Sequence, residues 1–261
     1  MKLTQYQVDA FAERVFEGNP AAVCPLDSWL ADTTMQAIAA ENNQAETAFF
    51  VPKSDAYHIR WFTPETEVKL CGHATLASAY VLFNELGCTQ DALKFESLSG
   101  PLTVSRSGEQ LVLDFPTQLP FACDEPKGLA EALGVTIIEC LKNEDYVVVL
   151  DNETQVRSVA PDFAKLKRVE ARGVIVTARS EKYDFVNRFF GPRVGVDEDS
   201  VTGSAFTKII PYWANELGKN KLFAKQVSKR GGEVACEYLG ERVKIAGKGT
   251  LFSKSEIYVS D

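Results

Sequence analysis

Histidine is scarce in this chain: His58 and His73 are the two among 261 residues. No H-E-x-x-H motif or clustered Cys/His spacing accompanies them, so obvious ligands are too few and no transition metal is expected. The six cysteines, Cys24, Cys71, Cys88, Cys123, Cys140 and Cys236, form no C-x-x-C pair. That pattern suggests neither a zinc ribbon nor a disulfide framework, and free thiols are expected. Nowhere do about 18 apolar residues follow one another, and the opening MKLTQYQVDAFAERVF has no apolar run of signal-peptide length. The expectation is a cytoplasmic protein with no membrane partner. Basic charge is short as well: 28 Lys and Arg against 36 Asp and Glu leave a net charge of -8. Scattered cations offer no stripe to neutralise phosphates, which argues against nucleic acid and favours a small-molecule ligand.

What is present is a core-forming composition, 45% hydrophobic and 25% charged, on a chain long enough for two domains of ordinary size. An internal repeat organises it. Arg60-Trp-Phe-Thr-Pro64 returns as Arg188-Phe-Phe-Gly-Pro192, Cys71-Gly-His-Ala74 as Thr202-Gly-Ser-Ala205, and Asn84-Glu-Leu-Gly87 letter for letter as Asn215-Glu-Leu-Gly218. The glycine pairs share one offset, 203-72 = 131 and 218-87 = 131, and Ser97/Ser228 and Gly100/Gly231 keep it. The earlier Arg/Pro pairs differ from it by three residues, which predicts a short insertion between Pro192 and Glu198.

Each copy reads as extended aromatic and β-branched residues leading to Gly72 or Gly203, then about fifteen residues of helical pattern closed by Gly87 or Gly218. The helices are apolar on more than one face and are expected to be buried. Strands are expected over residues 2–11, 48–51, 58–62, 94–95, 102–106, 110–115, 146–150, 173–178 and 242–246. The fold class is α+β, twice over: a curved β-sheet wrapped about a central helix in each half. The halves divide near residues 117 to 128, giving domains 1–117 and 118–261.

Chemistry-bearing residues gather around the two helix starts. A first helical turn offers unpaired N–H groups and the positive end of the dipole, so Gly72-His73-Ala74 and Gly203-Ser204-Ala205 are candidate carboxylate or phosphate cradles. A Gly-x-Ala that merely lets a buried helix start near a strand is the other reading of either copy alone. Pseudo-symmetric halves would set both starts opposite one another at their interface. His73 at its helix start is suited to stay neutral and exchange hydrogen bonds, or serves only as an N-cap. Asp199, four residues before Gly203, is a helix cap or a site acid. Glu46 immediately precedes the apolar Thr47-Ala-Phe-Phe50, an awkward place for a charge unless its carboxylate faces a cavity. A desolvated glutamate there would exchange protons with a substrate.

Taken together, the chain resembles the PhzF family of phenazine-biosynthesis isomerases and their relatives. The motifs run from Val8-Asp-Ala-Phe11 and Phe16-Glu-Gly-Asn-Pro-Ala-Ala-Val23, through Glu46-Thr-Ala-Phe49, Trp61-Phe-Thr-Pro64 and Glu67-Val-Lys-Leu-Cys-Gly-His-Ala-Thr75, to Arg188-Phe-Phe, Glu198-Asp199, Thr202-Gly-Ser-Ala205 and Arg230-Gly-Gly232. The resemblance implies two domains of the diaminopimelate-epimerase-like fold, an active site in the cleft between them, no cofactor and a homodimer. It makes Glu46 the general acid/base, with His73, Asp199 and Ser204 completing a catalytic set and Gly72, Ala74 and Gly203 binding substrate. The implied reaction is isomerisation of a small carboxylate-bearing metabolite by proton transfer at carbon. An epimerase or racemase of a small acid, or a catalytically silent binding or interaction protein on the same fold, are the alternatives.

Two positions depart from the family pattern E-D-P-V-T-G-S-A-H: Ser200 stands for its proline and Phe206 for its histidine. The second half of the pocket is therefore less stiff at one position and less polar at the other. Cys71 falls where diaminopimelate epimerases carry one catalytic thiol, but its counterpart is Thr202 or Ser200, so the two-thiol set is incomplete. Cys71 is read as structural.

Overall fold

The computed structural model describes residues 1–259. Packing divides the chain into two units: Met1–Asp114 together with the segment from Ala246 onward, and Phe115–Ile245.

The first unit contains β1 (Lys2–Ala10), β2 (Asn19–Pro25), α1 (Asp32–Asn42), β3 (Glu46–Lys53), β4 (Ala56–Phe62), β5 (Glu67–Val68), α2 (Gly72–Tyr80), β6 (Ala92–Ser97), β7 (Gly100–Ser107) and β8 (Gln110–Pro116). Antiparallel pairs β1–β2, β3–β4, β6–β7 and β7–β8 are joined by the parallel pairs β2–β3 and β4–β6. The sheet curls around α2, which touches β1, β2, β3 and β7. Every residue of α2 from Gly72 to Ala79 is buried, as the apolar character on more than one face requires. Past Tyr80 the helix widens into a π-turn over Val81–Glu85 before Gly87 at φ +69°. On the outer face of the sheet α1 packs Met35, Ile38 and Ala39 against Cys24, Phe49, Val51 and Phe62.

The second unit repeats the plan with β9 (Phe121–Ala122), α3 (Leu129–Leu133), β10 (Glu139–Lys142), β11 (Tyr146–Val149), α4 (Glu153–Ser158), α5 (Phe163–Leu166), β12 (Val174–Arg179), β13 (Phe185–Gly191), β14 (Val196–Asp199), α6 (Gly203–Leu217), β15 (Lys221–Gln226), β16 (Gly232–Tyr238) and β17 (Arg242–Gly247). Its parallel pairs, β11–β12 and β13–β15, are the counterparts of β2–β3 and β4–β6. Helix α6 takes the place of α2, with Phe185 stacked on Trp213 and the Trp213 indole N–H donating to Thr177 Oγ1 at 2.9 Å. Pro211 lies inside α6 and has no N–H for the carbonyl of Thr207. That carbonyl instead accepts the N–H of Gln118 at 3.0 Å. Helices α3 to α5 cover the other face around Leu129, Leu133, Val156, Leu166, Val176 and Phe190.

The duplication is visible in the ion pairs too. Arg60 donates to both oxygens of Glu67, each at 2.7 Å, and Arg188 to both oxygens of Glu198 at 2.7 and 3.0 Å. The two pairs span 7 and 10 residues, and the three extra residues are accommodated by a 3₁₀ turn at Pro192–Val194 and Gly195 at φ +88°.

One expectation needs correction. The sequence assigned everything from residue 118 to the second domain, but the last strand, β18 (Gly249–Tyr258), pairs antiparallel with β1 along its length, Lys2 with Tyr258 to Ala10 with Gly249. Its backbone hydrogen bonds are made with β1, so the chain from Ala246 belongs to the first unit. Among the described residues no helix is long and apolar enough to cross a membrane.

Candidate active site

Strand alternation decides where Glu46 points. Phe49 and Val51 of β3 pack under α1, and side chains three positions apart on a strand face opposite ways, so Glu46, Ala48 and Phe50 face the α2 side. The same reasoning on β2 sends Cys24 under α1 and Asn19 toward α2. Gly18, at φ +64°, lets the chain enter β2 at this point, and a Cβ there would lie 2.1 Å from the carbonyl oxygen of Ala10.

At the start of α2 these residues meet His73. Its Nε2 lies 3.2 Å from Glu46 Oε2, and its Nδ1 lies 3.2 Å from the side-chain nitrogen of Asn19. With the Asn19 amide donating to Nδ1, the imidazole carries its proton on Nε2, the nitrogen that faces the Glu46 carboxylate. Cys71 Sγ is 3.5 Å from the same Nδ1. Burial pushes the His73 pKa down to about 3, so the ring is a neutral donor at ordinary pH. Neither α2 nor α6 has a side-chain cap at its start. Gly72, His73 and Ala74 are all buried, and a buried first turn without a cap leaves N–H groups for an anion or water to satisfy.

The His73 shift has a measurable consequence. An imidazole that titrates normally in the unfolded chain and near 3 in the fold takes up protons preferentially when unfolded. Its contribution to stability is complete above about pH 6.5 and is lost as pH falls toward 3, with a slope of about 1.4 kcal/mol per pH unit. Denaturant unfolding between pH 7 and 4 should show this slope, and His73→Gln should flatten it. Equal slopes in the two proteins would mean that the folded imidazole titrates normally.

In the second unit Asp199 ends β14 and its carboxylate accepts the Thr202 hydroxyl at 2.5 Å. Gln226 fixes this corner by donating to the Asp199 carbonyl at 2.8 Å and accepting the Thr202 N–H at 2.9 Å. Ser204, the second residue of α6, accepts from Arg172 Nη2 at 3.0 Å, and Arg172 in turn grips both oxygens of the fully buried Asp145. Lys208, also fully buried, reaches Asp145 at 3.1 Å, Gln118 at 2.8 Å and the Ser204 carbonyl at 3.1 Å. Phe206, where the family pattern has histidine, is buried within 6.2 Å of the Phe185 ring, so its side chain contributes to the core of this unit.

Of the residues expected from sequence, Glu46, Gly72, His73 and Ala74 come together in the first unit, and Asp199, Gly203 and Ser204 lie along one corner of the second. Sequence reasoning missed Asn19, Asp145, Arg172 and Gln226. The Gly18-Asn19-Pro20 turn before an apolar strand was the available signal for Asn19; the others carry none, because their partners are distant in sequence.

Comparison with known proteins adds an independent line. The family model for PhzC-PhzF, phenazine biosynthesis-like protein, matches residues 8–255. A Pseudomonas aeruginosa protein named as an uncharacterized isomerase is 54% identical over 259 residues, spanning 99% of this chain and 100% of its own. The crystal structure of a PhzF-family protein from Enterococcus faecalis superposes with a TM-score of 0.97 at 48% identity, covering 99% of this chain and 100% of that one. A hydroxyproline epimerase from Agrobacterium vitis, at 9% identity and a TM-score of 0.64 over 100% of this chain and 93% of that one, shows a shared fold.

Proposed function

Since the chain belongs to the PhzC-PhzF family of phenazine biosynthesis-like proteins, we propose that it is an isomerase moving a proton between carbon atoms of a small carboxylate-bearing metabolite, with Glu46 as the proton carrier. The family relationships support an isomerase or epimerase of a small molecule. The carboxylate substrate and the mechanism are this proposal's own.

The observation that carries it is the Glu46–His73 contact of 3.2 Å beside an uncapped, buried helix start. Glu46 is one-fifth exposed, open enough to reach a ligand. Neutral His73 sets its Nε2 beside the Glu46 carboxylate, and in this reading that carboxylate takes a proton from carbon. The N–H groups of Gly72, His73 and Ala74 supply donors for negative charge that develops as the C–H bond breaks. Glu46 then returns the proton to a second carbon, shifting a double bond. In the second unit Ser204, held by Arg172, and Asp199, tied to Thr202, are the corresponding groups of the repeat; they enter the proposal as substrate-orienting residues. A cytoplasmic homodimer without a cofactor completes it.

The test is solvent-deuterium incorporation across a panel of small unsaturated and hydroxylated carboxylic acids, selected first by thermal-shift binding. Deuterium at a carbon other than the one deprotonated, with the double bond moved, is the expected result. Exchange at a single carbon with loss of configuration would make the protein an epimerase, and binding without exchange a silent binding protein.

A further inference from the structure

The thiols are scattered along the sequence, yet folding sets two of them side by side. Cys123 and Cys140 are 17 positions apart in the chain, and their Sγ atoms lie 3.7 Å from one another. We propose that they are a reversible dithiol–disulfide pair, a modification site at which a hydroperoxide staples β9 to β10 and a low-molecular-weight thiol releases it. Nothing in this inference rests on the function proposed above.

Backbone register brings the thiols together. β9 and β10 run antiparallel with Ala122 opposite Leu141 and Phe121 opposite Lys142. Cys123 therefore falls opposite Cys140, and its N–H donates to the Cys140 carbonyl at 3.0 Å. Residues opposed in this way have Cα atoms about 5.5 Å apart and side chains on one face of the sheet. A disulfide needs Cα atoms about 4.4 to 6.8 Å apart and sulfurs about 2.05 Å apart. The strands already stand at a suitable separation, and side-chain rotation closes the remaining gap of roughly 1.7 Å.

The surroundings give the two sulfurs different parts. Cys140 is buried among Leu129, Leu133 and Val148, and Cys123 packs half-buried at the rim of that cluster. Burial pushes the Cys140 thiol up to about 12, so it stays protonated until a reactive partner arrives. Cys123 is the sulfur that meets the oxidant. It attacks the peroxide and the O–O bond breaks; one oxygen stays on sulfur as a sulfenic acid, and the other leaves with the thiol proton as water or an alcohol. Cys140 then attacks Cys123 Sγ, the S–O bond breaks, and hydroxide leaves with the second proton as water. Two thiols have given two electrons and two protons to the peroxide.

The bond falls where the chain enters the second unit. Just upstream of Cys123, the Gln118 side chain accepts from Thr207 at 2.7 Å and Lys208 at 2.8 Å, and the Leu119 carbonyl accepts from Asn143 at 3.0 Å. These hydrogen bonds seat the entry segment, and the disulfide adds a covalent tie to it.

The full chain, reduced and then exposed to graded hydrogen peroxide, should lose two hydrogen atoms in intact mass. A digest should contain one peptide pair joined through Cys123 and Cys140, and dithiothreitol should undo both changes. The oxidised protein should melt roughly 5 to 10 °C higher, the usual effect of closing a loop of this length, and amide exchange over residues 117–123 should slow. Cys123→Ser, at the half-buried position, should leave Cys140 unmodified and remove the shift in melting. Cys88→Ser, at another half-buried thiol, should change neither. Sulfinic acid on Cys123 beside a free Cys140, a bond to any other cysteine, or a joined pair with no gain in melting temperature overturns the proposal.

Discussion

Glu46→Gln is expected to lower turnover by about 100-fold or more, the usual contribution of a positioned general base, while substrate affinity stays near that of the parent. Glutamine keeps the outline of the side chain and an oxygen beside His73 Nε2, which lies 3.2 Å from the carboxylate, but it cannot take up a proton. The N–H groups at the start of α2 are untouched. Deuterium exchange and calorimetry on the same protein separate the two effects: exchange collapses and binding survives. His73→Asn should be milder, because it removes an orienting donor while Glu46 remains. Undiminished exchange by Glu46→Gln would hand the proton to another group, Cys71 first, since its sulfur lies 3.5 Å from His73 Nδ1.

The largest effect on stability is expected at Asp145. Its carboxylate, with no exposed surface, is shared by Arg172 at 2.5 Å and Lys208 at 3.1 Å, and Lys208 has no exposed surface either. Asp145→Ala leaves an ammonium buried with only the half-exposed Glu144, at 3.4 Å, as a counter-charge. Breaking a buried pair from one side typically costs about 3–5 kcal/mol, against a total stability of about 5–15 kcal/mol for proteins in general. Denaturant unfolding should therefore show a loss of that size. The Asp145→Ala, Lys208→Met double variant should recover part of it, because the orphaned charge is gone. A single-variant loss below about 1 kcal/mol would show that water or Glu144 already carries Lys208.

The repeat made the fold legible. A shared offset of 131 residues placed Gly72 and Gly203 at the starts of α2 and α6, and both begin there. Strands whose apolar residues alternate, such as Gln110–Pro116 and Arg242–Gly247, were visible for the same reason. Gly249–Tyr258 was not: its residues are half-buried or exposed along its length, so its sequence carries no apolar stripe to separate strand from loop. Its pairing with β1 is a backbone interaction, and side-chain pattern does not record it.

The candidate site divides in the same way. Glu46 stood out as a charge set against an apolar strand, and His73 by rarity. Asn19 and the Asp145–Arg172–Lys208 network depend on contacts between distant residues, for which one sequence holds no local sign. Cys71 flanks His73 at the start of α2 and Glu46 arrives from another strand, so their proximity required the folded chain. The two units also carry different chemistry at matching positions: a neutral imidazole at the start of α2, and a serine hydroxyl steered by an arginine at the start of α6.

The pairing of β1 with β18 sets an order on synthesis. Gln5 and Ser255, joined across that pair, are 250 residues apart, so β1 leaves the ribosome long before its outer partner exists. The second unit, one uninterrupted stretch from Phe115 to Ile245, can close first during translation. The first must hold β1 with an open edge until the final strand emerges, and an unpaired edge is a place where another chain can add. The interval between the two strands is when a nascent chain most needs a chaperone, and slowing elongation anywhere between them should increase aggregation.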